Sequence, residues 1–553
     1  MNGIEGGCAS SARHAPLPAD ALGAIEAVAP RAYSSTMTKD SIAAHDELTA
    51  ALQRADPEAF VANLWAANAL QSGRSSHAMP YLRRVPTDAA IDGILGPHAI
   101  YPWELETLAN EMFAAPRQKF TSLIDFGDWP ALAWLANLLR NIEGAEYRDR
   151  RSELDMFREL GRIGARQFEW QRGFTTTAEF YRSVVMYGQG ECARFLSERH
   201  GVTAADMTFV GYGLMAATLQ EPLIRPRADL AILGELGVSR TAIARVMDRI
   251  AAPIDLVRAE AAELRRLGAG TAYAPSILRR YPSVLMGAGR RRLRTPLPQL
   301  LVARVTSGLF YDVVEGGGPV RGEYGANFET YTHRLLGAMV PDLDLRREWE
   351  YRAGGSTSRT PDLVSLDAQG AVDLVIECKA ARMSVTARFG EDPSGERGYD
   401  EMAKGVTQLW RFFSHCRLGL TGRVATPAAK GLLVCLDDWF LARSRMAEDV
   451  IARAHRRADV IDGGIPVEDR RPVGFASINE IEMASRRATR GTFMRAVDVA
   501  SSPERRGWMF QFLHDELVPK GIERRPYPFD DELEELLPWW RLLRVARGDD
   551  PAD

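Results

Sequence analysis

The spacing of apolar residues predicts helices along the first half of the chain, from about residue 38 to residue 265. In "SIAAHDELTAALQRADPEAFVANLWAANAL", apolar side chains recur every three or four positions, as they do along the buried face of a helix. The same spacing occurs in "SELDMFRELGRIGARQFEWQ" and in "APIDLVRAEAAELRRLGAG", where a glycine follows at a C-cap position. We therefore predict a mostly α-helical region over residues 37–305, preceded by a loose tail over residues 1–36.

The pattern becomes mixed beyond residue 305. The segment "VVEGGGPVRGEYG" (residues 313–325) predicts a linker or turn because it is rich in glycine and contains proline. Helical spacing returns in "GANFETYTHRLLGAM" and "EMAKGVTQLWRFFSHC". Strands are predicted in "LRREWEYR", "TPDLVSLD", "VDLVIECKA", "GLLVCLDDW" and "VGFASINEIEMAS". The chain is thus predicted to be an α+β multidomain protein, with an α/β domain built on a mixed central sheet over residues 306–490 and a C-terminal helical extension over 491–553.

Composition and charge narrow the class of protein. A chain of 553 residues with 46% hydrophobic and 26% charged residues is expected to fold into two to four domains. A net charge of -4 argues against a protein that coats nucleic acid or anionic membrane along its whole length. Five scattered cysteines fit neither a disulfide framework nor a zinc site, and indicate a reducing compartment. We find no apolar run of 18 residues and no signal-peptide order at the N-terminus, so we predict a cytoplasmic protein without a membrane partner.

Two carboxylates and a lysine stand inside the predicted strands of "TPDLVSLDAQGAVDLVIECKA", residues 360–380. Glu377 and Lys379 are two positions apart, so they project from the same face of one strand. A hairpin across "LDAQGA" would bring Asp362 beside Glu377. Two carboxylates on neighbouring strands, with a backbone carbonyl, suit Mg²⁺ or Mn²⁺. Lys379 could then orient or deprotonate a metal-bound water, or stabilise charge that develops on a phosphate. The alternative is that Asp362 and Glu377 are solvated charges at strand ends and that Lys379 forms an ordinary ion pair.

The Pro361-Asp362 and Glu377-Cys378-Lys379 motifs resemble the active site of the PD-(D/E)xK nuclease superfamily. The resemblance covers residues 320–485 and implies a restriction-endonuclease-like fold that hydrolyses phosphodiester bonds with Mg²⁺ or Mn²⁺. It implies that Asp362, Glu377 and the Cys378 carbonyl are metal ligands, with Lys379 as a catalytic residue. Glu329, on the preceding helix, matches the position of an additional acidic ligand in many members. Gln408 resembles a glutamine that some branches place near the site and is included among the catalytic candidates.

Basic residues in two places are candidates for binding nucleic acid. Lys404, Gln408 and Arg411 share one face of a predicted helix, which suits contacts to phosphate. The stretch 276–305 holds seven arginines and no acidic residue. We expect its members after "GAG" to lie in an exposed loop that holds a phosphate backbone, with a solvated basic loop as the alternative. These members are Arg290, Arg291, Arg292 and Arg294.

Other functions remain as alternatives. The segment "ILGELGVSRTAIARVMDRI" (232–250) resembles a helix-turn-helix, although a simple helical hairpin is the favoured interpretation. The sequence has no GxxxxGK[ST] phosphate loop, which argues against a motor driven by ATP. We predict a metal-dependent nuclease that acts on DNA, with RNA as an open alternative substrate, in prokaryotic restriction, repair or anti-phage defence. A homodimer and an activating or sensor protein are partners that the sequence leaves open. The competing hypotheses are a DNA-binding regulator and a helical interaction scaffold, each with an inactive nuclease fold.

Overall fold

The structure is a computed structural model that describes residues 39–90, 96–150, 156–266, 270–287, 289, 292–390, 393–440 and 444–541. The predicted tail over residues 1–36 lies outside these ranges. Helices of the first half are α1 (Lys39–Gln53), α2 (Pro57–Gln71), α3 (Ser75–Ala78), α4 (Pro102–Ala114), α5 (Trp129–Arg150), α6 (Met156–Arg172), α7 (Thr177–Tyr187), α8 (Gly190–Phe195), α9 (Ala204–Gln220), α10 (Pro226–Asp229), α11 (Ala231–Glu235), α12 (Arg240–Ile250), α13 (Ile254–Arg266) and α14 (Gln299–Val305).

Helices and strands are mixed in the second half, as predicted. Its helices are α15 (Phe310–Val313), α16 (Gly317–Met339), α17 (Val385–Phe389), α18 (Arg397–Arg417), α19 (Ser444–Val460), α20 (Ile478–Ser485), α21 (Arg490–Ser501), α22 (Phe510–Asp515) and α23 (Glu532–Leu536). The strands are β1 (Leu223–Ile224), β2 (Ala251–Pro253), β3 (Ser283–Met286), β4 (Arg292–Arg294), β5 (Leu345–Arg347), β6 (Glu350–Ala353), β7 (Ser356–Arg359), β8 (Leu363–Leu366), β9 (Val372–Lys379), β10 (Ala425–Cys435) and β11 (Val473–Ser477). The chain is therefore an α+β protein.

The first half is helical apart from a small sheet that the periodicity does not reveal. Four short strands pair in the order β1-β4-β3-β2. Strands β3 and β4 lie in the arginine-rich stretch, where an exposed loop was expected. In the segment 232–250, for which a simple helical hairpin was favoured, Gly237 has a φ of 96° and the Ser239 hydroxyl caps α12 by accepting from Ala242 N at 3.0 Å. The first of these two helices, α11, has five residues, so the motif is a short helical hairpin.

The linker predicted over residues 313–325 is wrong. Helix α16 begins at Gly317 and continues for 23 residues to Met339, so most of the glycine-rich segment is its N-terminal part. Pro319 is compatible with this because it lies in the first turn, where backbone N–H groups have no partner within the helix. The long helix results from packing, since its buried face includes Tyr324, Phe328 and Tyr331.

The central sheet has five strands in the order β11-β10-β9-β8-β5. Strands β9, β10 and β11 are parallel, whereas β8 pairs antiparallel with both β9 and β5. The segment "LRREWEYR", predicted as one strand, is divided between β5 and β6, and β6 pairs with β7 in a separate two-stranded sheet. The mixed central sheet of the prediction is confirmed.

Three apolar clusters make up the core. One lies within the first half and runs from Leu48 to Ala303. A second packs α18 and α19 on one face of the central sheet, from Val364 to Phe475. The third, which we call the shared core, runs from Phe180 to Trp540 and crosses the boundary predicted at residues 305/306. The C-terminal extension joins it, because Trp540 stacks on Phe180 with ring centroids 5.0 Å apart.

Whether a helix could cross a membrane depends on its length and apolar composition. Among the described helices, none by itself is long and apolar enough to cross a membrane. One pair of helices, Gly190–His200 and Ala204–Gln220, passes this test together but is bent by 68°.

Candidate active site

The predicted hairpin forms and sets the two central carboxylates side by side. Strands β8 and β9 pair antiparallel, with Leu363 opposite Ile376, so Asp362 and Glu377 occupy the next position beyond the last pair. The turn between the strands is closed by Asp367, whose Oδ1 accepts from Ala371 N at 2.8 Å. Strand β9 is central and almost entirely buried, which explains its near-continuous apolar run.

Glu377 and Lys379 are in direct contact, as their spacing in the strand predicts. The Nζ atom of Lys379 lies 2.6 Å from Oε1 of Glu377 and 3.2 Å from Oε1 of Gln408. The Glu377 side chain is 4% exposed and that of Lys379 17%, so the pair is nearly removed from water. Gln408 therefore belongs to the site, where its amide oxygen orients the lysine.

Asp362 is anchored to the backbone of the opposite strand. Its Oδ2 accepts a hydrogen bond from Cys378 N at 2.6 Å. The N–H and C=O of one strand residue point toward the same neighbouring strand. The Cys378 carbonyl therefore lies on the Asp362 side of β9, beyond the last β8–β9 pair. This is the orientation that a carbonyl ligand between the two carboxylates requires.

The carboxylates of the site bind protons more tightly than ordinary carboxylates do. Burial, together with the charges of Glu377 and Glu329, raises the pKa of Asp362 to about 8. Burial also raises the pKa of Glu377, against the opposing effect of Lys379. Burial lowers the pKa of Lys379, but the neighbouring Glu377 outweighs this and holds the pKa above its usual value. The lysine is therefore protonated at neutral pH, and Asp362 also holds its proton up to about pH 8 in the absence of a cation.

Two further acidic residues lie within electrostatic range. The half-buried Glu329 carries a pKa raised by burial and then by Glu348 and Glu377. Glu348, which the sequence analysis did not single out, also raises the pKa of Glu377. It sits between β5 and β6 and pairs with Arg359 at 3.3 Å. Its position depends on how this segment folds back over the sheet, so the sequence alone offers no signal for it.

Helix α18 covers the site with one polar face. Lys404 and Gln408 are exposed and Arg411 is half-buried, in agreement with the predicted face. The charge of Lys404 reaches Glu377, whose pKa it lowers. Asp373 also lies on β9, but its carboxylate contacts Arg490, which assigns it to a structural ion pair outside the site.

The arginine-rich stretch lies in another part of the molecule. Arg290 and Arg291 are outside the described residues. Arg292 and Arg294 form β4 of the four-stranded sheet, and both pair with Glu58 of α2, at 2.7 and 3.1 Å. The expected loop is thus wrong for these two residues; Arg292 is exposed, at 48%, but Arg294 is only 12% exposed. The structure does not bring them to the sheet that holds Asp362 and Glu377.

The arrangement fits a cation that takes part of its coordination from water. Across the described ranges, no group of three or more His, Cys, Asp or Glu side chains is placed to hold a metal ion. A cation between Asp362 and Glu377 would therefore need the Cys378 carbonyl and water as further ligands, which is the usual coordination of Mg²⁺. Burial is the main cause of the raised pKa values of both carboxylates, and a bound cation would favour their ionised forms.

Comparison with known proteins adds no assignment. The chain matches no protein-family model, no curated protein and no solved structure. The functional interpretation therefore depends on the geometry of the site and on the motif resemblance.

Proposed function

We propose that the chain is a metal-dependent nuclease that hydrolyses phosphodiester bonds in DNA. The observation that supports it most is the arrangement of Asp362, Glu377 and Lys379: a half-buried and a buried carboxylate on adjacent strands, both with raised pKa values, and a lysine 2.6 Å from the buried one. A purely structural ion pair would not need the second carboxylate, whose charge opposes that of the first.

Asp362, Glu377 and the Cys378 carbonyl are the groups that would hold Mg²⁺ or Mn²⁺. When bound, the cation polarises a phosphoryl oxygen and lowers the pKa of a bound water. The hydrogen bonds described at the two carboxylates use Oδ2 of Asp362 and Oε1 of Glu377. Each carboxylate has a second oxygen, so both can take part in coordination without losing these contacts.

Lys379 acts in this proposal as a charged donor. Because its pKa lies above the usual value, it holds its proton at neutral pH and is not a general base. Its three N–H donors exceed the two contacts to Glu377 and Gln408, which leaves one for a phosphate oxygen or the attacking water. Lys404, exposed on α18 beside the site, would contact the phosphate backbone.

The biological setting follows from the motif resemblance. We place the protein in the cytoplasm of a prokaryote, in restriction, repair or anti-phage defence. One active site in a chain cuts one strand, so cleavage of both strands would require a homodimer or two successive nicks.

The test is cleavage of supercoiled plasmid, linear duplex, single-stranded DNA and RNA, with Mg²⁺ or Mn²⁺ and with EDTA. We expect metal-dependent cleavage that Asp362→Asn and Lys379→Gln each reduce by about two orders of magnitude or more. Matched controls are Asp373→Asn, an acidic residue of the same strand, and Lys430→Gln, on neighbouring β10, where the lysine contacts Asp498. Both controls should retain cleavage.

Mn²⁺ binding, measured by electron paramagnetic resonance, separates an inactive site from one that needs an activator. Binding that Asp362→Asn removes would support the site even without cleavage. Cleavage that survives both Asp362→Asn and Lys379→Gln would show that another site is responsible. A wild-type protein that neither cleaves nor binds Mn²⁺ would contradict the proposal.

A further inference from the structure

A large cavity lies at the carboxyl ends of the three parallel strands. It has a volume of about 1880 Å³, and we call it the junction cavity. Residues that follow β9, β10 and β11 form one wall, and helices α6 and α7 of the first half form part of the other. In open α/β sheets, ligands bind in crevices outside the carboxyl ends of strands. The wall residues after the three strands include Arg382, Met383, Asp437, Asp438, Asn479 and Glu480.

The junction cavity is distinct from the candidate active site. Its lining includes none of Asp362, Glu377 and Lys379. The two are nevertheless close along the chain, because Arg382 follows Lys379 by three residues. This connecting segment is held in place by Asp437, whose Oδ2 accepts from Met383 N at 2.7 Å.

In three ion pairs of the lining the arginine is more exposed than its carboxylate partner. Arg279 is 31% exposed and pairs with two carboxylates: Glu106, 2.7 Å away and 9% exposed, and Glu169, which is 26% exposed. Arg172 is 47% exposed, and its partner Asp438, at 3.4 Å, is 22% exposed. Arg249, at 30% exposed, is likewise more exposed than its partner Asp312, at 1%. In each pair the carboxylate is the more buried partner, and its contact restrains the guanidinium.

This arrangement presents hydrogen-bond donors to a ligand. A guanidinium has five N–H donors in a fixed fork, and even Arg279, which donates to both Glu106 and Glu169, uses only three of them. Arg321 of α16 adds an exposed guanidinium to the same lining. Oriented arginines of this kind bind phosphate oxygens in preference to neutral groups.

Aromatic and carboxyl groups complete the lining. Tyr311 is 55% exposed, and Phe389 lines the same space. Such rings stack on nucleic-acid bases. Among the carboxyls, Glu480 accepts from Ser477 N and Phe510 N, at 2.6 and 3.1 Å, and so caps its own helix. Burial raises the pKa of Glu179 to about 7, which reduces its charge at neutral pH.

We propose that the junction cavity binds nucleotide phosphates, with arginines Arg172, Arg279 and Arg321 holding the phosphates and Tyr311 stacking on a base. Ligand sites for single small molecules usually measure about 300–1,000 Å³. The volume of about 1880 Å³ therefore favours a short oligonucleotide over a single nucleotide. The site is independent of metal and of cleavage chemistry.

The experiment is isothermal titration calorimetry on the full chain in EDTA, which prevents metal-dependent binding at Asp362. The probes are inorganic phosphate, pyrophosphate, the four ribonucleoside triphosphates, and tetranucleotides of DNA and RNA. We expect saturable binding of at least one nucleotide probe. Arg172→Gln, Arg321→Gln and Tyr311→Ala should each weaken it by about tenfold.

Two further variants locate the binding. Arg194→Gln is the matched control, because Arg194 forms an exposed ion pair with Glu191 and does not line the cavity; binding should be unchanged. Asp362→Asn should also leave binding unchanged, so a failed nuclease assay and a failed titration are separate results. The proposal is wrong if no nucleotide probe binds at millimolar concentration. It is equally wrong if binding is lost in Asp362→Asn while the three cavity variants retain it.

Discussion

Lys379 occupies space beside α18 that is open because Gly405 has no side chain. A Cβ atom at residue 405 would lie 2.8 Å from Cε of Lys379 and 2.6 Å from Cδ1 of Leu433. Both distances are shorter than carbon atoms tolerate, so the helix approaches β9 more closely than a larger residue would permit. The glycine thereby lets Lys379 reach Glu377 and Gln408 at once.

Replacing this glycine tests whether the position of the lysine matters. We expect Gly405→Ala to reduce cleavage by about 10- to 100-fold, because the added methyl group displaces Lys379 without removing any charged group. Overpacking should also cost about 1–3 kcal/mol of unfolding free energy. Cleavage rates and urea unfolding measure the two effects.

The control for this substitution is another helical glycine. A Cβ at Gly325 of α16 meets no atom of a neighbouring element within 4 Å. Gly325→Ala should therefore stabilise the protein by about 0.5–1 kcal/mol and leave cleavage unchanged. If Gly405→Ala behaves in the same way, Gly405 has no role in positioning the lysine.

Asp362→Asn should inactivate the site and stabilise the fold at the same time. The substitution removes a carboxyl that the folded protein must hold protonated at this pH, and it keeps a side-chain oxygen for the Cys378 N–H. We expect the unfolding free energy in EDTA at pH 7.5 to rise by about 1–3 kcal/mol. Asp373→Asn is the counter-example, because it deprives Arg490 of its carboxylate and should lower stability. Equal changes in both variants would show that Asp362 is an ordinary structural carboxylate.

The raised pKa of Asp362 predicts how stability varies with pH in the absence of metal. Above pH 4 the unfolded chain has lost the proton of this carboxyl, while the folded protein retains it up to about pH 8. The folded state thus binds more protons, and its stability falls as pH rises through this window, by at most about 1.4 kcal/mol per pH unit. Urea unfolding between pH 5 and 8 should show this slope, and Asp362→Asn should reduce it.

A buried ion pair next to the junction cavity should be essential for folding. Arg304 donates to both oxygens of Asp312, at 2.6 and 2.9 Å, and both side chains are almost completely buried. Asp312→Ala leaves Arg304 buried without its carboxylate and should cost about 3–5 kcal/mol. Glu263→Ala, which breaks an exposed pair with Arg266, should change stability by less than about 0.5 kcal/mol. Thermal unfolding of the two variants measures the contrast.

The parts of the site that local periodicity determines were predictable from the sequence. Alternation along β9 places Glu377 beside Lys379, and a hairpin with a short turn places Asp362 opposite Glu377. Helical spacing in α18 likewise predicts that Lys404 and Gln408 share an exposed face. Each of these relationships joins residues within one element or across one turn.

Relationships between distant segments were not predictable in the same way. Arg294 lies in a short strand because β4 pairs with β1 and β3, and its side chain contacts Glu58, 236 positions earlier in the chain. Glu348, whose charge acts on Glu377, lies between β5 and β6, which belong to different sheets. The glycine-rich segment is helical because α16 packs against the core, which outweighs the low helix propensity of glycine. In all three cases tertiary contacts decide the structure.

Because of the shared core, the folding of the sheet that carries the catalytic candidate residues depends on the folding of the helical half. It includes Phe180 and Val305 from the first half, Ile376 from β9 and Trp540 from the C-terminal extension. A fragment that begins at residue 306 would expose the apolar surfaces that Phe180 and Val305 cover, and should aggregate or unfold. Amino-acid changes far from Asp362 can therefore abolish cleavage by lowering the amount of folded protein in the cell. A screen for loss of cleavage would consequently recover many substitutions in the first half, and measurements of protein abundance would be needed to separate these from changes in chemistry.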